Sequence, residues 1–81
     1  MERGEVVKQV LAFLGDRFGD RREGITADSR LSETMMIDSL ATLEIVMFIE
    51  EQHGLTLERA DLDRLTTPGS IADLIVEKQQ G

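Results

Sequence analysis

A serine at the start of the strongest helical pattern in the chain is the first side chain that could carry chemistry. Asp38 and Ser39 stand directly before the apolar run that begins at Leu40, and Asp38 is suited to cap a helix there. Because the N-terminus of a helix has free amide groups and a positive partial charge, it stabilises an anion such as a phosphate ester on Ser39. The tripeptide Asp38-Ser39-Leu40 by itself indicates only a helix start, so simple capping and modification of Ser39 both stay open.

Two other groups of side chains are of types that occur in catalytic or metal sites, but the spacing of each group argues against such a site. His53 is the single histidine, and no serine or carboxylate pair lies near it in sequence with catalytic spacing. Its place near a helix end predicts an interaction with the helix dipole. The segment from Asp61 begins like a calcium loop, but Thr66 and Ala72 stand where that loop needs glycine and glutamate. We therefore expect no metal site and no catalytic activity.

Helices must position these side chains, because apolar residues recur at helical spacing and no strand alternation competes. The helical patterns cover residues 2–18, residues 39–53, a short stretch around Leu62 and Leu65, and the segment that Thr67 and Pro68 begin. Residues 20–38 lack such a pattern, and so long a connection in a small domain tends to be functional. The predicted fold is a single all-α domain over residues 1–81, a bundle of three main helices and one short helix with a long loop before the second helix.

The predicted second helix has apolar residues on two opposite faces when residues are placed 100° apart. One face, expected to be the core face, holds Ala41, Thr42, Ile45, Val46, Phe48 and Ile49. The other face carries an apolar stripe, defined as Leu40, Leu43 and Met47, between the carboxylates Glu44, Glu50 and Glu51. Isolated exposed apolar residues are ordinary, and the long loop could cover part of the stripe. A row of three between carboxylates instead favours a docking surface with an apolar centre and a charged edge for a basic partner.

Size and charge narrow the function classes. The chain has 81 residues, no cysteine, and 16 acidic against 9 basic residues, for a formal charge of −7. Such a charge repels nucleic acid and anionic membranes and attracts basic surfaces, although acidity can also serve solubility alone. The first 20 residues mix apolar with charged side chains, unlike a signal peptide or a membrane span. We expect a soluble cytoplasmic monomer without nucleic-acid or membrane partners.

The segment MMIDSLATLEIVMFIEEQHG resembles the part of acyl carrier proteins in which the prosthetic-group serine lies between Asp and Leu at the start of the second helix. The similarity extends to Ile25, Asp28 and Leu31, to the acidic pairs of the helix and to the final TTPGSIADLI, and so covers nearly the whole chain. The resemblance implies a carrier that holds acyl groups as thioesters on a covalent 4'-phosphopantetheine arm derived from coenzyme A.

The resemblance also implies roles for individual residues. Ser39 corresponds to the attachment point, and Asp38 to the acid used in recognition by the phosphopantetheinyl transferase. Other positions correspond to those that face partner enzymes: Leu40, Glu44, Met47, Glu50 and Glu51. The partners that it implies are the transferase and an acyltransferase, a ketosynthase or another acyl-loading enzyme.

Departures from the family pattern bear on the pathway. Met35-Met36 stand where the family usually has Leu-Gly, and Ala41 replaces an acid that is often found there. Seven of the nine basic residues are arginine, which suggests a GC-rich genome. Together these features favour specialised polyketide or hybrid biosynthesis over housekeeping fatty-acid synthesis. Two alternatives remain, namely a peptidyl or aminoacyl carrier of a nonribosomal pathway and an unmodified helical interaction module.

Overall fold

The computed structural model describes residues 2–18, 25–31 and 39–80. Four helical elements lie wholly within these ranges and no strand occurs in them. They are α1 (Arg3–Phe18), α2 (Ser39–His53), the 3-10 helix η1 (Arg59–Arg64) and α3 (Pro68–Gln80). The all-α prediction, with three main helices and one short one, is confirmed for this part of the chain. The predicted loop over residues 20–38 lies mostly outside the described residues.

Local signals in the sequence explain where the helices end and begin. Gly54, directly after α2, has φ +64°, the left-handed conformation that glycine adopts without strain and that terminates helices. At the start of α3, the Thr67 hydroxyl accepts a hydrogen bond from the Ser70 amide at 3.0 Å. Pro68 occupies the first helical position, where its missing N–H costs nothing. Both predicted boundaries are confirmed.

The core forms where the apolar faces of the three α-helices meet. Its members from these helices are Val6, Val10 and Leu14 of α1, Ile45 and Ile49 of α2, and Ile71, Ala72, Leu74 and Ile75 of α3. Each is at most 1% exposed, and Leu31 and Leu65 complete the cluster. Burying one such aliphatic side chain contributes about 1.5–3 kcal/mol, so these contacts fix which face of α2 points inward.

Polar contacts hold η1 against α3. The Glu58 amide donates to the Asp61 carboxylate at 2.8 Å, which closes the first turn of η1. Asp61 also pairs with Lys78 at 2.9 Å. Arg64 donates to both carboxylate oxygens of Glu77, at 2.9 and 2.5 Å. The short helix is therefore held by paired charges, and it buries no residue fully.

The described part of the connection between α1 and α2 is held by the start of α3. The Gly69 amide donates to the Ala27 carbonyl at 2.7 Å, and the Leu31 amide donates to the Thr66 carbonyl at 2.9 Å. Leu31 is 1% exposed. These bonds position residues 25–31 before the chain continues towards α2. Within the described ranges, no helix has the length and apolarity needed to cross a bilayer.

Candidate functional site

The apolar stripe of α2 is exposed, as the helical wheel predicts. Leu40 is 73%, Leu43 56% and Met47 52% exposed. Ile45 and Ile49, on the opposite face, are 1% and 0% exposed. The helix therefore uses one apolar face for the core and leaves a second one accessible in the part of the chain that the structure describes.

The start of α2 provides a suitable environment for an anion. Ser39 is the first residue of the helix, and the aligned peptide dipoles give this end a positive partial charge. The first turn contains no acidic residue, so no carboxylate within it competes with another anion for the positive end of the helix dipole. The predicted neighbour Asp38 lies outside the described residues. Leu40, immediately after Ser39, is largely exposed, which leaves this end of the helix open to a large partner.

Glu44 is engaged by a cation from another helix. Its carboxylate accepts a hydrogen bond from the guanidinium of Arg17 in the last turn of α1, and the two form an ion pair. This hydrogen bond, together with the charge of Glu44, raises the pKa of Arg17 above its ordinary value. The contact joins residues 27 positions apart in sequence, so the spacing within α2 gave no sign of it.

Glu50 and Glu51 are adjacent but have different surroundings. The Glu50 carboxylate accepts a hydrogen bond from the Leu57 amide at 3.1 Å, which ties the segment after α2 back to the helix. Glu51 is exposed. Among the described residues it has no hydrogen-bond or ion-pair partner. The three carboxylates predicted to face partners thus comprise an ion-paired group, a structural acceptor and a free one.

An open groove of about 260 Å³ runs beside the stripe between α1 and α2. It is lined by Phe13, Arg17, Glu44, Met47, Phe48, Glu51 and Gln52. Phe13 stacks on Phe48 with ring centroids 4.2 Å apart, and this pair forms an apolar floor. Met47 belongs both to the stripe and to this groove, so the exposed apolar surface of α2 continues onto α1. This continuation could not be predicted from the sequence, because it depends on how the two helices pack.

His53 lies in the last turn of α2, as predicted, but its surroundings disfavour the charged form that interacts most strongly with the helix dipole. Burial lowers the pKa of this imidazole below 6.5, so the neutral form dominates at neutral pH and has no full charge to offer the dipole. Nδ1 lies 3.2 Å from the Gln79 side-chain amide, and the ring meets Phe48 edge-on at 5.8 Å. Nε2 is buried without a hydrogen-bond partner among the described residues. His53 is therefore a packing residue between α2 and α3.

Metal-binding groups do not converge in the part of the chain that the structure describes. There, no three His, Asp or Glu side chains are placed to hold one ion. Asp61, the first residue of the segment that begins like a calcium loop, is paired with Lys78. The hydrogen bond from the Glu58 amide, followed by the pairing with Lys78, lowers the pKa of the Asp61 carboxyl.

Comparison with known proteins adds an independent line of support. The model of the phosphopantetheine attachment site family matches residues 8–75, a span that contains Ser39. The chain is 28% identical over 79 residues to an acyl carrier protein of Rubrobacter xylanophilus, with 98% of each chain covered. It is 29% identical over 77 residues to an acyl carrier protein of Saccharopolyspora erythraea, covering 95% of this chain and 81% of that one. A third acyl carrier protein, from Thermotoga maritima, is 28% identical over 76 residues, 94% of each chain.

Proposed function

Because the chain belongs to the family of phosphopantetheine attachment domains, we propose that Ser39 is the residue that carries its arm. The role of the chain is that of an acyl carrier and not of a catalyst, and its prosthetic group is a covalently attached phosphopantetheine. Once attached, this group supplies the terminal thiol on which acyl groups are held as thioesters. We further propose which residue bears the phosphopantetheine, which face of the chain docks onto partner enzymes and in which pathway the chain acts.

The observation that carries the choice of Ser39 is its position as the first residue of α2, inside the matched domain. A phosphodiester at this position lies at the positive end of the α2 dipole, which stabilises its negative charge. No carboxylate in the first turn opposes it. The residues present therefore fit an attached phosphate, and the exposure of Leu40 leaves room for the transferase.

The apolar stripe is the proposed docking face for the enzymes that use the arm. Acyl carriers interact with a phosphopantetheinyl transferase and with acyl-handling enzymes, and each of these must approach the start of α2. Leu40, Leu43 and Met47 offer an exposed apolar row along this helix, and Glu51 adds an exposed carboxylate at its far end. An apolar centre with charge at its edge suits brief, repeated binding to basic partners.

For the pathway, we place the chain in specialised polyketide or hybrid biosynthesis, where it acts as a cytoplasmic monomer. The support comes from Ala41 and from Met35-Met36, at which the chain departs from the usual family pattern. The test is to offer the modified chain to a malonyl-loading acyltransferase, to a fatty-acid ketosynthase and to an amino-acid-loading adenylation enzyme. Transfer of an amino acid alone would contradict the acyl class, and preferred turnover by the fatty-acid enzyme would contradict the specialised pathway.

The attachment site is tested by incubating the chain with coenzyme A, magnesium and a broad-specificity phosphopantetheinyl transferase. Intact mass should show one added phosphopantetheine. Ser39→Ala should abolish the addition without changing the far-ultraviolet circular dichroism, whereas Ser32→Ala, the matched control, should be modified normally. Continued modification of the Ser39→Ala variant would contradict the assignment, and an unmodified wild type would favour a helical interaction module without covalent cargo.

A further inference from the structure

The carboxylates beside the apolar stripe are not equivalent, although they look alike in the sequence. Arg17 pairs with Glu44, and the Leu57 amide donates to Glu50. Glu51 has no such partner among the described residues. A cation from a partner protein therefore finds both oxygens of Glu51 open, whereas at Glu44 it has to replace a guanidinium that is already bound.

The position of Glu51 also specifies the chemistry that fits beside it. Met47 lies one helical turn before it, and both residues line the groove above the stacked rings of Phe13 and Phe48. The matching partner segment carries a lysine or arginine next to an apolar side chain, so that the cation binds Glu51 while the apolar group contacts Met47. The formal charge of −7 on this chain favours the approach of such a basic segment.

Arg17 places a positive charge at the edge of this surface. Its side chain is 57% exposed, and that of Glu44 is 31% exposed. Since an exposed ion pair is weak, a partner can displace Arg17, but it then loses the free energy of that pair and meets the repulsion of the displaced guanidinium. Removing the Arg17 side chain should therefore strengthen association with a basic partner about two- to fivefold, which corresponds to the free energy of an exposed ion pair.

We propose that Arg17 is a specificity-determining residue of the docking surface, which masks Glu44 and directs the cation of a basic partner segment to Glu51. The proposal rests on the proposed function, because it concerns the same docking face. Arg17 acts on partner choice through Glu44, and it has no part in the chemistry at Ser39.

The test is the initial rate of phosphopantetheine transfer by a broad-specificity transferase, at subsaturating carrier and over a series of salt concentrations. Arg17→Gln should raise the rate about two- to fivefold at low salt. Removing Glu44 as well, in the Arg17→Gln/Glu44→Gln variant, should lower the rate again by the same factor. Glu51→Gln should lower it about two- to fivefold on its own and weaken its salt dependence.

Matched controls separate local masking from a change in total charge. Arg59→Gln removes the same charge from an exposed site on η1 and should raise the rate less than Arg17→Gln does. Arg17→Lys keeps the cation and should stay near the wild-type rate. The proposal would be overturned if Arg17→Gln and Arg59→Gln raised the transfer rate equally. It would also be overturned if the Arg17→Gln/Glu44→Gln variant were as slow as Glu51→Gln. If the wild type itself acquires no phosphopantetheine, the proposed function fails instead, and intact mass distinguishes that outcome.

Discussion

Individual residues of α2 differ mainly in which face of the helix they occupy. Truncating Ile45 or Ile49, at 1% and 0% exposure, removes buried methyl groups and leaves a partial void. Ile45→Ala and Ile49→Ala should each cost about 2–5 kcal/mol of unfolding free energy. Leu43→Ala and Met47→Ala remove side chains that are 56% and 52% exposed and should cost less than about 1 kcal/mol.

Urea titrations of these four variants measure the costs, and transfer to a downstream acyl-handling enzyme measures docking. The variants of the stripe should stay folded and accept phosphopantetheine, yet transfer acyl groups poorly. If they lose as much stability as the isoleucine variants, the stripe is part of the core and the docking face has been placed wrongly.

His53 gives the stability a pH dependence whose sign follows from its burial. Its pKa is lowered from 6.5 in the folded chain, so the unfolded chain binds more protons in the window below 6.5. Its contribution to stability is thus complete above about 6.5 and is lost as the pH falls towards the lower folded pKa.

The measurement is the unfolding free energy of the wild type minus that of His53→Gln, from pH 8 to pH 5.5. This difference should be constant above pH 7 and should fall below pH 6.5, while changes in the carboxylates largely cancel between the two proteins. If the unfolding free energy of the wild type instead rose relative to that of His53→Gln as the pH falls, the fold would stabilise the protonated imidazole of His53.

The start of α3 organises the elements around it, and Gly69 is the contact point. A Cβ atom at this position would lie 2.8 Å from the Ala27 carbonyl oxygen and 2.8 Å from the Arg3 guanidinium. The Arg3 side chain can move aside, but the Ala27 carbonyl is held by its 2.7 Å hydrogen bond from the Gly69 amide. Gly69→Ala should therefore cost about 1–3 kcal/mol of unfolding free energy.

Gly4 in α1 provides the control, because a Cβ atom there would meet nothing within 4 Å. Gly4→Ala should raise stability by less than about 1 kcal/mol, because Gly4 lies in the first turn of α1 and the full helix propensity difference applies to helix interiors. The two variants are compared by chemical denaturation. Equal stabilisation of both would show that residues 25–31 are not held rigidly against α3.

For the molecule as a whole, the helices and the two faces of α2 could be predicted because their causes are local. Gly54, Thr67 and Pro68 act on their own neighbours, and the 100° spacing separates Ile45 from Leu43 whatever packs against them. The family resemblance was also predictable, and the match over residues 8–75 confirms it.

The pairing of Arg17 with Glu44 and the stacking of Phe13 on Phe48 could not be predicted in this way. Both contacts depend on how α1 and α2 pack, because this packing brings together residues that are distant in sequence. The same applies to His53, whose position in α2 suggested a cation, whereas its packing against α3 disfavours the charge. The features that were predicted correctly thus depend on residues within one helix, whereas the features that were missed depend on contacts between helices.

Whether Ser39 carries the phosphopantetheine arm is decided by locating the group within the chain. The protein is coexpressed with a broad-specificity transferase, digested with trypsin and analysed by fragmentation mass spectrometry. The four serines fall in three tryptic peptides, with Ser29 in residues 23–30, Ser32 and Ser39 in residues 31–59, and Ser70 in residues 65–78. We expect phosphopantetheine only on residues 31–59, with fragment ions that assign it to Ser39. Assignment to Ser32, modification of either other peptide, or an entirely unmodified chain would contradict the account.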